Sequence, residues 1–194
     1  MFGTVIIGVL LAAVVGVFLI KQAKARSLGR PQAEATDKAK ERLELVAAEL
    51  GGTIVEGPAL QTPRGRLELY ASKAPKSSVI DVAKYSAPVP GDLQLIVMRA
   101  EDAAKVATKG LQPVPLADPA YQAFASDPAA GTKRFSPDAL AKFQALEKAA
   151  RGAARLRLVH GTATVTVARG LAEAAELRDF FNGCAALVDD LKAG

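Results

Sequence analysis

The chain has 194 residues, a formal net charge of +5 at pH 7 and a pI of about 9.4. The positive charge does not indicate a nucleic-acid partner, because the excess lies in residues 21–30, whereas residues 31–194 carry 21 basic and 20 acidic side chains. A single cysteine and a single histidine exclude an intrachain disulfide, a cysteine-cluster metal site and a multi-histidine zinc site.

An uncharged apolar run from Phe2 to Ile20 opens the chain. A helix of this length, at ~1.5 Å per residue, spans most of a ~30 Å hydrocarbon core. The run is too long for the core of a signal peptide and no basic residue precedes it, so it favours a retained anchor over a cleaved signal. The basic residues that follow it directly are Lys21, Lys24, Arg26 and Arg30. Because positive charge stays on the cytoplasmic side, the sequence predicts a single-pass protein of the bacterial inner (plasma) membrane, with its N-terminus outside and its domain in the cytoplasm.

The anchor sets the predicted division of the chain. Residues 1–20 form the transmembrane anchor, residues 21–31 a basic juxtamembrane linker, and residues 32–194 one soluble α+β domain. Gly8, Ala12 and Gly16 recur every four residues on one face of the anchor helix. This spacing leaves two interpretations open, a homodimer through closely packed helices or the general abundance of small residues in this chain. The lipid bilayer is the predicted partner of the anchor.

The domain is predicted to begin with an amphipathic helix from Gln32 to Leu50, which Gly51 and Gly52 terminate. Short β-rich runs separated by Pro and Gly follow, as is typical of antiparallel strands joined by turns. The predicted strands are Thr53–Glu56, Arg66–Ala71, Ser78–Ser86, Leu93–Met98 and Tyr121–Ala125, with a short helix at Glu101–Lys109. The run Leu93–Met98 is apolar on both faces, which predicts a central strand.

Two further helices are predicted near the end of the chain. Ser136-Pro137-Asp138 combines an N-cap hydroxyl, a proline at the first helical position and an acid near the helix dipole, so it predicts a helix start. The predicted buried stripe of this helix is Leu140, Phe143, Leu146 and Ala150, and Gly152 ends it. A last helix runs from about Leu171 to Lys192, with the apolar stripe Leu177, Phe181, Cys184, Val188 and Leu191.

Between these helices, residues 155–167 are predicted to form a β-hairpin with His160-Gly161 as its two-residue turn. This register places the apolar residues of both strands on one face, namely Leu156, Leu158, Ala163, Val165 and Val167. The opposite face carries Arg155, Arg157, Thr162, Thr164 and Thr166. The agreement between the two strands about which face is apolar supports the register.

The polar side of the hairpin is the candidate ligand or partner face, and its named residues are Arg155, Arg157, Thr164 and Thr166. Guanidinium and hydroxyl groups together bind phosphate or lipid headgroups. The alternative interpretation is an ordinary solvated sheet face.

Candidate catalytic groups are few. A histidine before glycine is typical of a tight turn, which favours a structural role for His160, and Cys184 lies on an apolar helix stripe. Asp118, Asp127 and Asp138 each neighbour a proline, a position that favours turns and helix caps over acid–base chemistry. The sequence has no phosphate-binding glycine motif and no nucleophile-elbow motif. No cofactor or metal ion is therefore predicted.

The order of features resembles a loose group of uncharacterised bacterial single-span membrane proteins with a C-terminal α+β domain. The residues that carry the resemblance are Leu50-Gly51-Gly52, Asp118-Pro119-Ala120-Tyr121 with Phe124, Ser126-Asp127-Pro128 and Ser136-Pro137-Asp138-Ala139-Leu140. In this group an aromatic residue follows the acid, whereas this chain has Pro119 and Ala120. The resemblance covers most of the domain and implies no activity.

The sequence therefore predicts an α+β protein in which an N-terminal transmembrane helix precedes one domain, whose antiparallel sheet packs against about three to four helices. The predicted function is that of a membrane-anchored cytoplasmic binding or scaffolding domain without catalytic activity, acting on an unidentified protein partner. Two alternatives stay open: a module that binds an anionic lipid or phosphate ligand, and an enzyme that uses the proline-flanked aspartates.

Overall fold

The computed structural model describes residues 36–73, 79–168, 171 and 173–194, without the side chains of residues 71–73 and 79–81. The strands in chain order are β1 (Thr53–Val55), β2 (Ala59–Thr62), β3 (Gly65–Lys73), β4 (Val79–Pro88), β5 (Leu95–Arg99), β6 (Gln112–Val114), β7 (Tyr121–Ala125), β8 (Ala154–Val159) and β9 (Thr162–Val167). They form one nine-stranded sheet in the order β1-β2-β3-β4-β9-β8-β5-β7-β6, and each neighbouring pair is antiparallel.

The α-helices of the described residues cover one face of this sheet. They are α1 (residues 36–47), α2 (Pro128–Arg134), α3 (Pro137–Ala150) and α4 (Ala174–Ala193), and a 3₁₀ helix (Ala100–Lys105) follows β5. Because side chains in a strand alternate between the two faces, every second strand residue joins the apolar stripes of α1, α3 and α4 in one core. The most buried large side chains of this core include Leu43, Leu67, Tyr85, Leu158 and Phe181.

The predicted start of α3 is confirmed. The Ser136 hydroxyl accepts a hydrogen bond from the Ala139 amide at 3.3 Å, Pro137 occupies the first turn, and the helix ends where Arg151 adopts a left-handed conformation. The predicted stripe Leu140, Phe143, Leu146 and Ala150 is buried, as is the whole predicted stripe of α4.

The hairpin and its register are also confirmed. Leu158 pairs with Ala163 and Arg157 with Thr164 across β8 and β9. His160 and Gly161 both have positive φ, which matches the right-handed twist of the strands that they connect. The Gly161 carbonyl accepts a hydrogen bond from the Val89 amide at 2.9 Å, so the turn is held against the loop after β4.

Three short elements escape the sequence pattern. β2 lies between Pro58 and Pro63 and is too brief to show an alternation, β6 contains Pro113 at its centre, and α2 has only seven residues. Proline is tolerated in β6 because that strand is an edge of the sheet. The helix predicted at Glu101–Lys109 is instead the 3₁₀ helix. β5 is an interior strand, although β9 rather than β5 occupies the centre of the strand order.

The prediction of a transmembrane protein is corrected. Within the part of the chain that the structure describes, no helix is both long enough and apolar enough to cross a membrane. The longest one, α4, buries one stripe and carries charged residues such as Arg178, Asp189 and Lys192 on its other side. This finding contradicts the predicted fold class with its transmembrane helix, and likewise the single-pass inner-membrane location with a cytoplasmic domain.

The predicted number of helices also changes, because the described residues contain four α-helices and one 3₁₀ helix. The segment on which the anchor prediction depended lies outside the described residues. It includes Phe2, Gly8, Ala12, Gly16 and Ile20 together with Lys21, Lys24, Arg26 and Arg30.

Candidate functional site: a basic face of the sheet

Four adjacent strands, β3, β4, β9 and β8, present polar side chains on the face of the sheet opposite the helices. We call this surface the basic face, and its residues are Arg66, Glu68, Lys84, Ser86, Arg155, Arg157, Thr162, Thr164 and Thr166. Their strand neighbours on the other face, such as Leu67, Tyr85 and Leu156, are buried in the core. The alternation within each strand therefore separates the core from the candidate site.

The strand register arranges the basic face in two rows. One row runs Glu68, Lys84, Thr166, Arg155 from β3 to β8, and the next runs Arg66, Ser86, Thr164, Arg157. Directly opposed side chains in neighbouring strands lie ~5 Å apart. The structure thus brings together all four residues of the predicted ligand face, as the cross-strand pairs Arg155 with Thr166 and Arg157 with Thr164.

Sequence reasoning missed the contribution of β3 and β4 to this face. Lys84 is the neighbour of Thr166, and Arg66 lies in the same row as Arg157. The alternation along Arg66–Tyr70 shows that the two sides of β3 differ. No local pattern indicates that β4 pairs with β9, which follows it by about 80 residues.

Glu68 is the one carboxylate among the side chains described on the basic face, and two cations already contact it. Its Oε1 accepts a hydrogen bond from Arg66 Nε at 2.9 Å, and its Oε2 accepts one from Lys84 Nζ at 2.6 Å. Partial burial raises the pKa of Glu68, but the hydrogen bond from Lys84 and the charges of Lys84 and Arg66 outweigh it and lower the pKa below its usual value.

The two arginines of β8 differ in their surroundings. Asp102 of the 3₁₀ helix lies near Arg155. A hydrogen bond from Lys105 is the main cause of the lowered pKa of Asp102, and the positive charge of Arg155 lowers it further. Arg155 Nε is buried without a hydrogen-bond partner among the described residues. Arg157 is exposed, and no described carboxylate lies within ion-pair distance of it.

A shallow depression lies beside Arg157. It has a volume of about 350 Å³, and its lining consists of Lys84, Arg157, Val159, Thr162 and Thr164. Cationic and hydroxyl donors converge there without a carboxylate in the lining, which is the donor set that binds an anionic group by charge-assisted hydrogen bonds.

The proline-flanked aspartates have structural contacts. The Asp127 carboxylate caps α2 by accepting hydrogen bonds from the Ala129 and Ala130 amides. Asp118 accepts hydrogen bonds from the Ala120 amide and from Gln144. Asp138 is exposed in the first turn of α3. No group of three or more potential metal ligands occurs within the described part of the chain.

The other titratable side chains considered are His160, in the hairpin turn, and the pair Glu147 and Tyr121, between α3 and the sheet. His160 is exposed in the hairpin turn. The Glu147 carboxylate is buried and accepts hydrogen bonds from Arg99, Tyr121 and the Ala154 amide. Partial burial, and then the hydrogen bond to Glu147, raise the pKa of Tyr121 to about 12. Glu147 and Tyr121 connect α3 to the sheet on its helix-covered side, away from the depression.

Cys184 is buried on α4, and burial raises the pKa of its thiol well above the usual value. We expect the thiol of the native chain not to react with a water-soluble aromatic disulfide reagent, and to react fully after unfolding in guanidinium chloride. The measurement is the absorbance of the released thiolate. A stoichiometric reaction in the native state would show that the α4 stripe is not packed as described.

No protein-family model matches the chain, and no curated protein matches it significantly. The structure is similar to the crystal structure of the mycobacterial trehalose monomycolate transport factor A, TtfA. The similarity has a TM-score of 0.51 and covers 78% of this chain and 95% of that chain, at 8% sequence identity. At so low an identity the likeness concerns the fold alone. This chain therefore has a fold similar to that of the transport factor.

Proposed function

We propose that this protein is a non-catalytic binding domain with a role in lipid transport, and that the basic face is its binding surface. The similar fold of the trehalose monomycolate transport factor supports the proposed role in lipid transport. The side chains on the basic face support the choice of that face as the binding surface.

The observation that carries the proposal is the environment of Arg157. This guanidinium is exposed at a depression of about 350 Å³, flanked by Thr162 and Thr164, without an ion-pair partner among the described carboxylates. Other cations of the domain, such as Lys142 and Arg178, form ion pairs with carboxylates of the domain itself. An unpaired guanidinium among hydroxyl donors is suited to an external anionic ligand.

A catalytic role has less support, because Asp118 and Asp127 serve a turn and a helix cap. A protein-docking role through an apolar patch also has less support. The exposed large apolar side chains among the described residues are Leu45 (64% exposed) and Tyr70 (42% exposed), and they lie on opposite sides of the sheet. They therefore do not form one contiguous patch.

A site-specific label tests this proposal. Since Cys184 is buried, a Thr162→Cys variant of the full chain is expected to take an environment-sensitive fluorophore at the depression alone. Vesicles made of equal parts of phosphatidylcholine and phosphatidylglycerol should shift its emission to the blue in a saturable manner. The matched control is the same label at Ala145→Cys on the exposed side of α3, where we expect no shift. An equal response at both positions, or none at residue 162, would contradict the proposal.

A further inference from the structure

We propose that the basic face docks on the surface of an anionic phospholipid bilayer, and that Arg157 supplies its principal unpaired charge. This inference rests on the proposed lipid-related function and names the chemistry of the surface that the face recognises. Three features of the basic face fit such a surface: the sign of its charge, the spread of that charge and the side chains at its margins.

The first feature is the balance of charge. The basic face carries four cations, Arg66, Lys84, Arg155 and Arg157, against the single described carboxylate of Glu68. Glu68 is shared by Arg66 and Lys84, so these three residues together keep one positive charge. Asp102 lies near Arg155 at one margin. The excess positive charge is complementary to the negative surface potential of a bilayer that contains anionic lipids.

The second feature is the spread of the charge. Arg66 on β3 and Arg157 on β8 belong to one row and are separated by three strand spacings. At ~4.8 Å per spacing, this separation is about 14 Å. A single free phosphate group contacts donors within ~3 Å and cannot reach both ends of the row. An array of headgroups can, and the hydroxyls of Ser86 and Thr164 between them supply further donors.

The third feature is the pair of amphipathic or apolar side chains near the ends of the face. Tyr70 is exposed on β3, in the same alternation as Arg66 and Glu68, and Val159 lines the depression on β8. Tyrosine is enriched where proteins meet the membrane–water interface, because its ring is apolar and its hydroxyl is polar. Charge in the middle and such side chains at the margins fit a bilayer surface better than a small soluble anion.

The test compares vesicles of two compositions with the full chain labelled at Thr162→Cys. We expect vesicles that contain phosphatidylglycerol to bind at least tenfold more tightly than vesicles of pure phosphatidylcholine. Raising the salt concentration from about 0.1 M to about 1 M should abolish the difference, because the screening length falls from ~10 Å to ~3 Å. Residues 1–30 carry four basic side chains and are present in every variant, so their contribution cancels in comparisons between variants, and these comparisons assign the binding to the basic face.

Two substitutions act in opposite directions. Removing one basic charge with Arg157→Ala should weaken binding about fivefold, since each basic residue near an anionic surface contributes ~1 kcal/mol. Glu68→Gln should tighten binding by a similar factor, and an unchanged circular dichroism spectrum shows that the gain does not come from unfolding. Arg157→Lys keeps the charge and should bind within twofold of the unchanged chain. The matched control is Lys148→Ala, which removes an exposed charge from α3 on the helical side and should change binding less than twofold.

Each contrary outcome has a distinct meaning. Equal binding to both vesicle types would overturn this inference and leave the proposed lipid-binding role in place. Equal weakening by Lys148→Ala and Arg157→Ala would overturn this inference and also the choice of the basic face as the binding surface. No response to either vesicle type would overturn the proposed function as well. Displacement of the vesicles by inorganic phosphate at low millimolar concentration and constant ionic strength would show that the site takes a free phosphate, which overturns docking on a bilayer.

Discussion

Replacing Glu147 with alanine is expected to lower the free energy of unfolding by about 3 kcal/mol, because a buried donor loses its partner. The carboxylate of Glu147 is 3% exposed and joins α3 to three strands. Its Oε1 accepts a hydrogen bond from the Ala154 amide at 2.6 Å, and its Oε2 accepts hydrogen bonds from Tyr121 Oη at 2.8 Å and from Arg99 Nε at 3.0 Å. Without the carboxylate, the buried amide at the start of β8 has no acceptor.

The Arg99 side chain is 43% exposed, so water compensates most of its lost ion pair and the backbone amide accounts for the larger share of the cost. The measurement is equilibrium unfolding in urea. Tyr121→Phe serves as the control, because it removes one of the donors and leaves Ala154 paired, and we expect a loss of about 1 kcal/mol. A loss below about 0.5 kcal/mol for Glu147→Ala would contradict the buried arrangement.

The second expected effect of this size concerns two neighbouring residues of β8. Leu158→Ala should lower the free energy of unfolding by about 2–5 kcal/mol, because Leu158 is 1% exposed, lies in the core and leaves a cavity there. Arg157→Ala, one residue earlier on the opposite face, should change it by no more than about 0.5 kcal/mol. For a chain of this length the first loss corresponds to a fall in melting temperature of at least about 4 °C.

Thermal unfolding followed by circular dichroism measures both variants under the same conditions. Equal losses in the two variants would mean that both faces of β8 are packed, and the basic face would then not be open for binding. A stable Leu158→Ala variant beside a destabilised Arg157→Ala variant would reverse the register of the hairpin.

Sequence patterns predicted the elements whose information is local. Alternation along residues 155–167, with His160-Gly161 as a turn, was sufficient for the register of β8 and β9, since a slip of one residue would expose all the apolar side chains. The signal Ser136-Pro137 likewise predicted where α3 begins, because the cap, the proline and the dipole all act within one turn. Elements of three or four residues, such as β2 and β6, contain too few positions for a period to show.

The apolar run at the start of the chain, in contrast, predicted features that the described helices do not have. Hydropathy in Phe2–Ile20 led to a fold class and a location that the described helices do not support. The described helices bury only one stripe each, as Leu177, Phe181 and Leu191 do on α4, and they keep charge on the other side. Amphipathic helices of this kind bury their apolar stripe against a sheet.

The sequence by itself determined which side of the two hairpin strands is polar, and it therefore placed Arg155, Arg157, Thr164 and Thr166 together. Only the tertiary structure decided what lies beside them. Lys84 and Arg66 join this face because β4 pairs with β9, and Glu147 becomes a buried acceptor because α3 lies against β8. The physical reason is that alternation records which face a side chain occupies, whereas the choice of a strand neighbour depends on how the whole core closes.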